Sequence, residues 1–143
     1  MEFLTQGVET TEKYPYSCSE SFSNLTIDWE PIVLSIIEDL TRNIRIKEIS
    51  ARFHNTFAEI ILTIAQRFGE RRMVLSGGCF QNAYLIEKTI MILRSNGFYP
   101  YWHQRVPTND GGLSLGQSFI ALSRKQRRQT VENKSQQLSA ILL

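Results

Sequence analysis

Two glycine-rich stretches carry the residues from which chemistry can be built. The first, Met73-Val74-Leu75-Ser76-Gly77-Gly78-Cys79-Phe80-Gln81-Asn82, is an apolar run that breaks at two glycines and passes into a helical pattern. Strand, tight turn and helix start in that order leave the first helical N–H groups unpaired and put the positive end of the helix dipole at the loop. A phosphate, ribose or carboxylate fits such a place, and Gly77 and Gly78 let it approach the bare backbone. Asn82 falls in the first helical turn, where its amide either points back at such a ligand or stands exposed without one. The second stretch, Pro107-Thr108-Asn109-Asp110-Gly111-Gly112, opens another helix. Asp110 reads equally well as N-cap and as a metal ligand or phosphate-side carboxylate. Gly112 and Gly116, one turn apart, point to close packing by backbone or ligand, because each costs a helix about 1 kcal/mol relative to Ala.

The elements that must position these residues follow from periodicity. Residues 1 to 12 have no clear period and read as a ragged start. Tyr14 to Cys18 and Leu25 to Ile27 predict two short strands around the turn chemistry of Ser19 to Asn24. Asp28 as N-cap and Pro31 in the first turn predict a helix to about Leu40. Ile46, Ile49, Phe53, Phe57, Ile60, Ile64 and Phe68 recur at steps of three and four, predicting a helix of about 23 residues that Gly69 ends. Beside this stripe run Ser50, His54, Ala58 and Ala65, a small-residue flank able to admit another helix or a ligand. His54 on its edge is either a partly buried histidine bonded to a neighbour or a ligand contact. A strand at Met73 to Leu75, a helix from about Phe80 to Ser95, a strand at Phe98 to Trp102 and a helix with Leu115, Phe119 and Leu122 on its face complete an α/β order. In such folds ligands bind in the crevice at the carboxyl ends of the strands.

Composition narrows the class. The chain has 143 residues, 42% hydrophobic and 21% charged, enough for one core. Cys18 and Cys79 lie far apart without zinc or disulfide spacing, which suits a reducing, cytoplasmic setting, and no apolar run is long enough for a membrane span. Residues 124–143 hold five basic side chains against one acid, leaving 11 basic and 13 acidic in the body. That basic end is read as a flexible, solvated tail rather than a nucleic-acid site. Neither a P-loop nor a dinucleotide fingerprint occurs, and there is no repeat, catalytic triad or carboxylate pair. From the residues alone the reading stops at the small-anion or nucleotide-binding half of an α/β domain.

Three stretches in this order and spacing, Ser50-Ala51-Arg52-Phe53-His54-Asn55-Thr56, Leu75 to Asn82, and Val106 to Gln117, closely resemble the C-terminal end of the hydrogenase maturation carbamoyltransferases, the HypF family. The resemblance covers roughly residues 13–122. It implies half of a Kae1-like domain of the actin, hexokinase and Hsp70 ATPase fold, shared with the threonylcarbamoyl transferases of tRNA modification. The implied reaction makes carbamoyl-adenylate from carbamoyl phosphate and ATP, then passes the carbamoyl group to the C-terminal cysteine of HypE. Carried over, Gly77, Gly78 and Asn82 contact the nucleotide. Ser50, Arg52 and His54 line its ribose or base side, and Asp110 holds a divalent metal.

The family's acylphosphatase-like, zinc-finger and YrdC-like modules, and the first half of the Kae1-like domain with its metal-binding histidine pair, are not found in this sequence. His54 and His103, the only histidines, are 49 residues apart and cannot form that pair. The expectation is therefore a C-terminal piece that needs the rest of a HypF chain for activity. The alternatives are a piece of a tRNA-modifying relative and a noncatalytic remnant.

Overall fold

A computed structural model of the chain describes residues 10–21 and 24–141, with side chains as far as Gln126 and at Gln129. The chain divides into two compact units, residues up to Trp102 and residues from His103.

The first unit begins with an antiparallel hairpin of β1 (Ser17–Ser21) and β2 (Asn24–Asp28), in register from Ser17 opposite Asp28 to Ser21 opposite Asn24. The first strand thus lies three residues later than its pattern predicts. Tyr14, expected inside it, is instead drawn onto the helix that follows: its N–H donates to Thr56 Oγ1 at 2.8 Å and its ring is buried. Two residues of the expected turn, 22 and 23, lie outside the described residues, as do residues 1–9 of the expected ragged start.

α1 (Glu30–Thr41) has Trp29 at its N-cap and not the expected Asp28, whose Oδ1 instead accepts the Glu30 N–H at 3.0 Å from one residue further out, and Pro31 fixes the first turn. α2 (Ile46–Phe68) has the predicted length and ends at Gly69, whose left-handed backbone (φ +70°) lets its N–H reach the Ala65 carbonyl. This helix is the spine of the unit because it feeds two cores. Ile49 and Ile60 pack with Tyr14 and Ile32, while Leu62 and Ala65 pack with Leu75 and Leu93. The small-residue flank does admit a helix, α3 (Ala83–Ser95), to which Leu93 belongs. The apolar stripe is less completely buried than its periodicity implies: Ile46, Phe57 and Phe68 are exposed.

β3 (Arg72–Leu75) and β4 (Tyr99–Trp102) pair in parallel, Leu75 opposite Trp102, so the chain leaves both strands at the same end of the pair. Leu75, Met73 and Trp102 turn toward the second core, whereas Val74, Tyr99 and Tyr101 face outward and are exposed. Between β3 and α3, the pattern predicts one helix from about Phe80. The structure instead has a 3₁₀ turn (Gly78–Gln81) and a break at Asn82, whose extended backbone (φ −74°, ψ 112°) caps α3.

The second unit holds a 3₁₀ turn (Asp110–Gly112) and α4 (Leu113–Ile141), and the basic run from Arg124 lies within that helix. The cap of the turn is Asn109, whose Oδ1 accepts the Gly111 N–H at 3.0 Å, and not Asp110. Gly112 answers the expectation of close packing, since a Cβ there would lie 2.7 Å from the Pro107 carbonyl oxygen. Gly116 does not: a Cβ there would meet nothing within 4 Å. It borders an apolar concavity of about 420 Å³ with Val106, Leu115, Phe119 and Leu122.

Candidate functional site

The glycine turn sits where β3 ends. Gly77 takes a backbone (φ +111°, ψ 160°) that side-chain-bearing residues rarely adopt, and it swings the chain out of the strand. A Cβ added to Gly77 or Gly78 would meet nothing within 4 Å, so the backbone there opens onto free space. The Phe80 N–H donates back to the Gly77 carbonyl and the Asn82 N–H to the Cys79 carbonyl, which closes the turn.

Asn82 joins this turn to two neighbours. Its Oδ1 accepts the Leu85 N–H at 3.0 Å, the capping bond of α3, and its Nδ2 donates to His54 Nε2 at 3.0 Å. His54 is buried, and its Nδ1–H donates to the Ser50 carbonyl at 2.7 Å. The His54 ring also meets the Tyr84 ring edge-on, and the Tyr84 hydroxyl donates to Asn55 Oδ1 at 3.0 Å. Burial raises the pKa of that Tyr84 hydroxyl. Ser50, one turn before His54 on the same side of α2, is buried and its Oγ has no hydrogen-bond partner among the described residues.

Arg52 stands apart from this group. It lies two residues, about 200°, round the helix from both Ser50 and His54. It pairs with Asp39 Oδ2 at 2.8 Å and with Glu12 Oε2 at 2.5 Å. Tyr14 also donates to Asp39 Oδ2, at 2.8 Å. The expected trio of Ser50, Arg52 and His54 is therefore divided between two faces, one beside Asn82 and one holding residues 12 to 14 and α1. The sequence reading missed Asp39, Asn55 and Tyr84. Asp39 had a signal, a carboxylate at helical spacing from Ile32 and Ile36 on the inner face of α1, which a buried partner must satisfy. Asn55 and Tyr84 had none, because each pairs across elements.

Asp110 belongs to the second unit. Its side chain is exposed and has no hydrogen bond or ion pair among the described residues. No group of three or more His, Cys, Asp or Glu side chains able to hold a metal ion occurs among those residues.

A family model for the second subdomain of the carbamoyltransferase Kae1-like domain, HypF type, matches residues 1–117. The chain belongs to the HypF carbamoyltransferase family. Carbamoyltransferase HypF of Synechocystis is 37% identical over 118 residues, covering 82% of this chain and 15% of its own length. Carbamoyltransferase HypF of Rhizobium leguminosarum is 31% identical over 105 residues, 71% of this chain and 14% of its own. The crystal structure of full-length HypF in the phosphate- and nucleotide-bound form superimposes with a TM-score of 0.72 at 40% identity, over 84% of this chain and 16% of that one. The expected Kae1-like ATPase fold is thus the observed one, and the HypF family takes precedence over the tRNA-modifying relatives. The chain spans about 15% of the length of the HypF proteins it matches.

Proposed function

We propose that this chain forms the nucleotide side of a HypF-type carbamoyltransferase and acts together with the remainder of such a chain. The observation that carries the reading is the Gly77–Gly78 turn, open to approach at the carboxyl end of a parallel strand. This is where α/β folds place anionic ligands. ATP approaches the N–H groups of the turn. Asn82 shapes the turn and keeps one amide hydrogen for the nucleotide. Arg52 acts from a distance by fixing the segment before β1.

In the proposed reaction, carbamate released from carbamoyl phosphate attacks the α-phosphorus of ATP. Carbamoyl-adenylate forms and pyrophosphate leaves. The cysteine thiolate of HypE then attacks the carbamoyl carbon and AMP departs. Negative charge grows on phosphate oxygens in the first step and on AMP in the second, and preorganised N–H donors stabilise both. Asp110 contributes one ligand to a divalent metal, which would offset phosphate charge, and the remaining ligands come from the rest of the HypF chain.

The test is thermal unfolding of the full chain with and without ATP and magnesium. A ligand that binds only the folded form raises the midpoint by mass action. The midpoint is expected to rise with ATP in the wild type and not in Gly78→Val, a change for which the fold has room. Equal shifts in both proteins would remove the glycine turn from the nucleotide site. Absence of a shift in the wild type would place nucleotide binding beyond this chain alone.

A further inference from the structure

The hydrogen bonds from Ser50 to Leu85 form a relay whose donor order is fixed at every step. A carbonyl oxygen only accepts, so the proton between His54 and Ser50 sits on Nδ1 and Nε2 presents its lone pair. A backbone N–H only donates, so the Asn82 oxygen faces Leu85 and its NH₂ faces the ring. Both ring nitrogens of His54 are thereby engaged within the chain, and none is left for a ligand. Asn82 is also the hinge of the turn. Its own N–H bonds the Cys79 carbonyl, its carbonyl accepts the Ile86 N–H, and its extended backbone separates the 3₁₀ turn from α3.

We infer that His54 is a positioning residue that orients the Asn82 amide, and through it the glycine turn, without touching the nucleotide. Only the last step, from turn to nucleotide, rests on the function proposed above; the relay stands on its own geometry. The neighbouring bond from Tyr84 to Asn55 ties the same turn of α3 to α2 by a separate route, so α3 stays docked when His54 is removed.

The experiment uses the full chain labelled with ¹⁵N. In the wild type, the imidazole spectrum is expected to show the proton on Nδ1; a proton on Nε2 overturns the relay without any variant being needed. In His54→Ala, exchange of the Leu85 amide is expected to quicken about tenfold, the size of a lost cap. His54→Gln supplies a carbonyl that can accept from Asn82 and is expected to recover most of that protection. Unchanged exchange in His54→Ala, or no recovery in His54→Gln, overturns the inference. Binding of ATP and of tripolyphosphate then separates positioning from contact. Positioning weakens both by the same factor in His54→Ala, whereas loss of ATP binding with intact tripolyphosphate binding means direct contact with the nucleoside. If the wild type binds neither ligand, the nucleotide reading fails for this chain, and the exchange and tautomer results still decide the role of His54.

Discussion

Gly77 and Gly78 are adjacent and equally open, yet they tolerate change differently. Gly77 has a φ of +111°, so Gly77→Ala is expected to cost about 1–3 kcal/mol in urea unfolding although nothing blocks the new methyl group. Gly78 has no such backbone, and Gly78→Ala is expected to stay within about 0.5 kcal/mol. Arg52 offers a second contrast, because its two partners differ in burial. Asp39 is buried and Glu12 is mostly exposed. Arg52→Met leaves the Asp39 carboxylate buried without its cation and is expected to lose about 3 kcal/mol of stability by denaturant titration. Glu12→Gln is expected to lose less than about 1 kcal/mol. Burial, then the hydrogen bond to Asp39, hold the Tyr14 phenol well above its ordinary pKa of 10.0. The folded chain therefore keeps that proton while the unfolded chain releases it. The associated stability is complete below pH 10 and falls as pH rises beyond it. Tyr14→Phe is expected to flatten this alkaline decline in a series of unfolding curves. None of these distinctions is visible in the sequence, where both glycines look alike and nothing assigns Arg52 its partners.

Among the elements, α2 was the most legible and α4 the least. A helix of 23 residues with an apolar stripe and a terminal glycine is set by local spacing, and α2 follows that spacing from end to end. The predicted Phe80–Ser95 helix lost its first turn because Asn82 bonds outward to His54 and inward to Leu85, a contact between residues 28 positions apart that no local pattern encodes. The two glycines of the second unit make an element-scale test. Gly112→Ala forces a methyl group to 2.7 Å from the Pro107 carbonyl and is expected to destabilise the turn that starts α4 by about 1–3 kcal/mol. Gly116→Ala meets no atom of the chain and is expected to favour α4 by up to about 1 kcal/mol. Helix content by circular dichroism through a urea series separates the two, and a loss in both would assign Gly116 an unseen packing role.

At the scale of the whole molecule, one face of the parallel pair β3–β4 packs on the second core, with α2 and α3, and the other carries exposed side chains among the described residues. Parallel sheets are normally covered on both faces, while here Val74, Tyr99 and Tyr101 stand in solvent. If the remainder of a HypF chain covers that face, Val74→Asp is expected to leave the thermal midpoint of this chain within a few degrees. It should also lower its affinity for the complementary HypF segment at least tenfold in a pull-down titration; unchanged affinity would show that the partner binds elsewhere. The sequence by itself determined the class of fold, the helix α2, the glycine turn after a strand and the family, because these depend on spacing within a few residues and on motifs of contiguous residues. Tertiary structure decided the partners. It separated Arg52 from Ser50 and His54, buried Tyr14 against α2 instead of pairing it in β1, and made Asn82 a cap held by His54. The physical reason is that burial and donor–acceptor pairing are settled between residues distant in the chain, where several pairings satisfy the local pattern and only packing selects one.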